Sequence, residues 1–372
     1  MRMARGRDDL IPLWIADMDF KLPESILSPL HEMVDRAAFG YTFPSDRYYA
    51  AVHDWFARRF GWETKKQWIV RTPGVVFAVA FALQTYTRPG DAVLIQQPVY
   101  YPFAKLIAHN GRTLVNNELV YENGTYRIDF ADFERQIAEN DVKLFILCSP
   151  HNPVGRVWTE DELARMGEIC RAHDVLVVAD EIHADFVYPG QTHHVFATVE
   201  SAFARNCLVC TAPSKTFNLA GLQGSNIFIP DPGLRKAYVD ALGRLGDLSV
   251  SMMAMAATTA AYETGDPWVD ELVGYLAGSV DAVRSGLERV PGVSLVEPQG
   301  TYLMWLDCAG LAHRLGDRPL DDFMVNEARL WMNAGTKFGG AQGGNFERMN
   351  IATQRATVNE ALARLARAVD RL

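Results

Sequence analysis

No run of this chain stays apolar long enough to cross a bilayer. Its first apolar segment, residues 10–16, is interrupted by Pro12 and closed by Asp17, too short for a signal-peptide core. Cysteine is scarce and odd in number, five in 372 residues, which excludes a disulfide framework and points to a reduced, cytoplasmic setting. Cys207 and Cys210 form a C-x-x-C, but with a Leu-Val interior they read as core thiols of an apolar strand. No second C-x-x-C completes a zinc site, and His183, Asp185, His193 and His194 lack regular ligand spacing, so no metal is expected. Positive charge is in deficit: a formal net charge of −9 argues against nucleic acid or an anionic membrane as partner. No G-x-G-x-x-G follows a strand, which removes the fingerprint of a nicotinamide dehydrogenase. The glycine-rich stretch 339–344 links no buried strand to a helix and reads as a loop. Repeats and low-complexity tracts are absent too.

What is there is an ordinary globular composition, 49% hydrophobic and 22% charged, with enough length for more than one domain. Short, wholly apolar runs alternate with amphipathic, helix-like segments such as 160–173. The clearest runs are Ala92-Val93-Leu94-Ile95, Leu144-Phe145-Ile146-Leu147 and Val175-Leu176-Val177-Val178. Strands apolar on both faces, separated by helices, predict a mostly parallel sheet covered on both sides. Beyond about residue 270 the texture changes to long amphipathic stretches around two strand-like segments, 293–306 and 348–353. The expected architecture is α/β: a large domain over 41–270 and a smaller α+β domain built from 1–40 and 271–372.

Ligands of open α/β sheets bind beyond the carboxyl ends of the strands. Three such ends carry chemistry here. The first runs into Ser149-Pro150-His151-Asn152-Pro153, the second into Asp180-Glu181-Ile182-His183, the third into Ser214-Lys215-Thr216. Each has a bland reading, as a turn asparagine, an aspartate paired with a structural arginine, and a surface lysine. Their fall at successive strand ends favours a shared pocket. A lysine with lowered pKa is an amine nucleophile or base, and an aspartate after a buried strand wants a cationic partner. Together they describe a site for pyridoxal 5′-phosphate. Lys215 would attach the aldehyde, Asp180 would keep the ring nitrogen protonated, and Asn152 with His183 would bond the ring hydroxyl oxygen. Gly74, Val75 and Val76, opening a helix after Thr72-Pro73, would offer backbone amides to the phosphate. Tyr100 would lie against the ring.

Ser149-Pro150-His151-Asn152-Pro153-Val154-Gly155-Arg156, Asp180-Glu181-Ile182-His183 and the run from Ala212 to Gln223 resemble fold-type I pyridoxal phosphate enzymes of the class I/II aminotransferase superfamily. The residues Trp14-Ile15-Ala16-Asp17-Met18-Asp19-Phe20, Phe39-Gly40-Tyr41-Thr42, Thr301-Tyr302-Leu303-Met304-Trp305 and Gly335-Thr336-Lys337-Phe338-Gly339 narrow the resemblance to the cystathionine β-lyase (MalY/PatB-type) branch. The resemblance implies the aspartate aminotransferase-like fold and a homodimer with its active site at the subunit interface. It further implies Tyr41 reaching the neighbouring subunit's phosphate and Ser214 beside the cofactor. Arg348 would clamp the substrate α-carboxylate, with Ile15, Ala16 and Tyr100 also around the substrate. The implied reaction is α,β-elimination of L-cystathionine or related cysteine conjugates to pyruvate, ammonia and a thiol; the alternative is transamination. Three positions depart from a typical aspartate aminotransferase: Gln223 replaces an arginine, Ala212 a hydroxyl residue and His183 a tyrosine. The arm that usually precedes the Trp14 segment is nearly missing from this sequence.

Overall fold

The computed structural model describes residues 7–246, 250–341 and 343–372. The basic start of the chain and Gln342 of the glycine-rich loop lie outside the described residues. Seven strands form the main sheet: Ile69–Thr72 (β1), Ala92–Ile95 (β2), Thr113–Asn116 (β3), Leu144–Cys148 (β4), Leu176–Asp180 (β5), Cys207–Thr211 (β6) and Ser225–Phe228 (β7). Their order across the sheet is β1-β7-β6-β5-β4-β2-β3. Neighbours from β6 to β3 are parallel, and β7 alone runs against its two neighbours. The apolar runs are strands for the reason the sequence suggested. Phe145 and Leu147 of β4 enter one core while Leu144, Ile146 and Cys148 enter the other, so both faces are covered.

That alternation also aims the chemistry. Asp180 ends β5 on the side of Leu176 and Val178, the face against which the helix Val75–Tyr86 packs. It stands in register between Cys148 of β4 and Cys210 of β6. Both cysteines of the C-x-x-C are buried free thiols.

A second core gathers around a four-stranded antiparallel sheet of Ser294–Leu295, Leu303–Asp307, Phe346–Asn350 and Asn333–Ala334. Leu13 and Met18 from the chain start are buried in it, and Ile11–Pro12 pairs in parallel with Leu330–Trp331. The helix Glu24–Asp35 goes elsewhere: Ile26 is buried in the larger core. The chain thus crosses from one core to the other between Met18 and Ile26. No helix among the described residues is long and apolar enough to cross a membrane.

The helix Glu160–Ala172 shows how closely the covering layer packs. A capping box of Thr159 and Glu162 starts it, and Gly167 faces the ring of buried Phe203. A Cβ on Gly167 would meet Phe203 Cζ at 2.3 Å, and that ring is itself stacked on Phe196. Gly167→Ala should therefore lose ~1–3 kcal/mol by overpacking, despite alanine's better helix propensity. Phe203→Leu in the same chain should return part of it. Urea denaturation of the two variants checks this; a Gly167→Ala protein as stable as the parent would refute the packing argument.

Candidate active site

Beyond the carboxyl ends of β4, β5 and β6 lies a cavity of about 340 Å³. The turns after these strands place Asn152, Asp180 with His183, and Ser214 with Lys215 on its wall. Gly74, Val75 and Val76 reach it as the start of a helix whose first amides have no partner within the helix. Tyr100 enters from the segment after β2, Arg348 from the strand Phe346–Asn350, and Ile15 and Ala16 from the chain start. Twelve of the thirteen expected positions thus share one pocket. Tyr41 does not: it is wholly exposed, outside the pocket of its own chain.

The electrostatics follow from burial. Desolvation pushes the Asp180 carboxyl up to about 7, against the opposing pull of the Ile182 amide and the Lys215 charge. Desolvation, aided by the Arg348 charge, brings the Lys215 amine down to about 8, while Asp17 and Asp180 act the other way. His183 is lowered to about 3 by burial and by the charges of Lys215 and Arg348, so it is neutral. Burial also lowers Arg348, to about 10, and raises Tyr100, to about 12. The guanidinium donates to Asn152 Oδ1 at 2.9 Å and to the Trp14 carbonyl at 2.7 Å, above the Phe338 ring. Asn152 is thereby oriented: its oxygen is occupied and its NH2 is left for the pocket.

The chain start crosses this pocket as a strap, and its successive carbonyls are all engaged. Trp14 O accepts from Arg348 and Asn333, and Ile15 O from Asn350. Ala16 O accepts from Lys215 Nζ and Tyr302 Oη, and Asp17 O from Asn350. Asn218, three residues after Lys215, brackets Met18 by accepting from its N–H and donating to its carbonyl. Sequence reasoning gave no role to these clamps. The usable signal was spacing: Asn350 lies two residues from Arg348 on a strand, hence on the same face. Gln223, noted as a departure, is also in the wall.

Buried open valences remain: His183 Nδ1, Ser149 Oγ and Arg348 Nε have no hydrogen-bond partner among the described residues. Such atoms are costly unless a ligand meets them. With a carboxyl lacking a close cation, a weakened lysine and an anion-ready helix start, they fit a ring carrying a cationic nitrogen, a hydroxyl oxygen and a phosphate. Elsewhere, His193 is paired with Glu181 at 2.9 Å.

The chain is similar to known proteins over nearly its whole length. The family model described as aminotransferase class I and II matches residues 9–365. The chain is 41% identical over 366 residues to the cystathionine β-lyase PatB of Bacillus subtilis, covering 98% of this chain and 94% of the relative. It is 31% identical to the cystathionine β-lyase of Corynebacterium glutamicum, covering 98% and 95%. Among solved structures, cystalysin of Treponema denticola, which contains pyridoxal 5′-phosphate, superposes with a TM-score of 0.93 at 34% identity, over 98% of this chain and 92% of that one.

Because the folded chain holds Asp180 neutral until about pH 7, its ionisation destabilises the ligand-free fold as pH rises from the ordinary carboxylic range through 7. Asp180→Asn removes that loss. In ligand-free protein the variant should match the parent near pH 4 and exceed it at pH 8, by at most about 4 kcal/mol. Thermal melts across this range test it; parallel pH curves for the two proteins would refute it.

Proposed function

The chain belongs to the aminotransferase class I and II family, and from that membership we propose a carbon–sulfur β-lyase acting on L-cystathionine or a related cysteine thioether. Its cofactor is pyridoxal 5′-phosphate. One observation carries the reading: the Lys215 amine and the Arg348 guanidinium are held in one buried pocket with Asp180 and Asn152. The choice of elimination rests on the relatives named cystathionine β-lyase.

Asp180 would hold the ring nitrogen's proton, and that cation would replace the partner the carboxyl lacks. Asn152 Nδ2 and His183 would meet the ring hydroxyl oxygen, Tyr100 would lie on the ring, and Ser214 with the amides of Gly74, Val75 and Val76 would take the phosphate. When bound, the cofactor supplies an electron sink for the pair left at Cα. Arg348 binds the substrate α-carboxylate as a fork and so fixes which Cα bond faces Lys215. Lys215, with its lowered pKa, takes the Cα proton on Nζ as a general base near neutral pH. The Cβ–S bond then breaks, and the thiolate leaves with the electron pair while a Cα–Cβ double bond forms. The released enamine hydrolyses to pyruvate and ammonia. The protein works as a homodimer in this reading. Tyr41 of the partner subunit completes the phosphate site, which accounts for its full exposure beside exposed Phe39 and Phe43.

Cofactor-loaded protein given L-cystathionine, with no keto acid, should release pyruvate and free thiol in equal amounts. Lys215→Ala should lower kcat by ~10²–10⁴-fold. Coupled pyruvate and thiol assays read both. Turnover only after 2-oxoglutarate is added would identify an aminotransferase instead.

A further inference from the structure

Lys215 can serve as the base only if its amine stays near the substrate Cα once it is free, and a four-carbon side chain does not ensure that by itself. Among the described residues the amine donates to one protein acceptor, the Ala16 carbonyl, on a strap that pairs with no strand there. Asn350 fixes the strap on both sides of that acceptor. Its Nδ2 donates to Ile15 O at 2.6 Å and to Asp17 O at 2.7 Å, the carbonyls on either side of Ala16. Its Oδ1 accepts the Ala352 amide at 2.7 Å, which settles the orientation of the side-chain amide and turns both donors to the strap. Its backbone N–H donates to Leu13 O at 2.8 Å, so the same residue also anchors the entry to the strap. Tyr302, just before the strand Leu303–Asp307 that neighbours Phe346–Asn350, donates from Oη to the same Ala16 O at 3.2 Å.

We propose that Asn350 is a positioning residue for proton transfer: it pins the strap on both sides of Ala16 and thereby holds the acceptor that orients the Lys215 amine. The inference rests on the reading of Lys215 as the base, but not on the identity of the leaving group. Arg348, two residues away on the same strand, meets the substrate; Asn350 acts only through the strap. Deleting it leaves Trp14 O still held by Asn333 and Arg348, so carboxylate binding should suffer less than proton transfer.

The test uses cofactor-loaded Asn350→Ala and Asn350→Asp proteins and follows exchange of the Cα proton of L-alanine in D2O by proton NMR. Alanine has no leaving group on Cβ, so the exchange reads proton transfer alone. At saturating alanine the exchange should fall roughly 10- to 100-fold. The half-saturating concentration should change by less than about threefold, with cofactor occupancy equal to the parent's. Asn350→Asp should be the slower variant, because its carboxylate faces two carbonyl oxygens. Exchange within about twofold of the parent at full occupancy would overturn the proposal, as would a loss that merely follows lost cofactor. Failure of both variants to fold would also overturn it, by making Asn350 a folding residue. A parent that exchanges alanine but releases no pyruvate from L-cystathionine would instead remove the lyase reading and leave Asn350's role standing.

Discussion

At one end of a parallel sheet, an acid, an amine, an imidazole and a guanidinium must be kept from water without neutralising one another. Asp180, His183 and Arg348 are at most 5% exposed, and Lys215 is partly buried beside them. An isolated ion in such a place costs several kcal/mol, and proteins commonly avoid the cost by pairing the charges or shifting their protonation. Here the shift dominates. Asp180 rises and Lys215 falls, so both approach the pH range in which either protonation state is accessible. A tight Lys–Asp pair would have fixed both charges and removed the amine from chemistry.

The rest of the fold supplies what this arrangement demands. Period-two alternation in β4 and β5 buries one set of apolar residues under each layer of helices, and the strand ends carry the polar groups into one cleft. The helix Val75–Tyr86 starts at that cleft. Cys148 and Cys210 flank Asp180 in register, so the carboxyl has weakly polar neighbours and, among the described residues, no strong donor beyond the Ile182 amide. That environment explains why burial outweighs the hydrogen bond in setting its pKa.

Much of this was legible in the order of residues. Continuous apolar runs identify buried parallel strands, and the residues at and just after their ends open on one cleft, so the order of residues already brings Asn152, Asp180 and Lys215 together there. β5 even carries Asp180 as its last residue, not the first beyond it. Boundaries of the second unit were less legible. The segment expected as one strand over 293–306 splits into Ser294–Leu295 and Leu303–Asp307, because turn residues and a buried Gly300-Thr301 interrupt the apolar pattern, and the strand expected over 348–353 runs two residues earlier and stops sooner, as Phe346–Asn350. The strap was illegible as a device. Its bonds run from side-chain amides 200 to 335 residues away to backbone carbonyls, and a backbone carbonyl leaves no mark in sequence. Asn218, Asn333 and Asn350 share no period or motif, and each alone reads as a turn or capping residue.

The strap also decides how the two cores are joined. Its start pairs with Leu330–Trp331, and Trp14 stacks on Trp331 with centroids 4.9 Å apart, so it belongs mechanically to the smaller sheet. Lys215 and Asn218 belong to the turn after β6, on the larger sheet. The bonds from Lys215 to Ala16 and from Asn218 to Met18 are therefore the part of the seam between the units that is laid across the pocket itself; elsewhere Arg156 bonds Gln299, and Trp305 and Phe346 pack into the larger core. Any movement of one core against the other must change the surroundings of the amine. Conversely, any event that takes up the Lys215 amine removes a bond from the seam. Substrate binding at Arg348 and the position of the smaller unit are coupled for the same reason, since the guanidinium donates to the strap carbonyl of Trp14. Some of the bonds that hold the two units together are thus ones the chemistry must use.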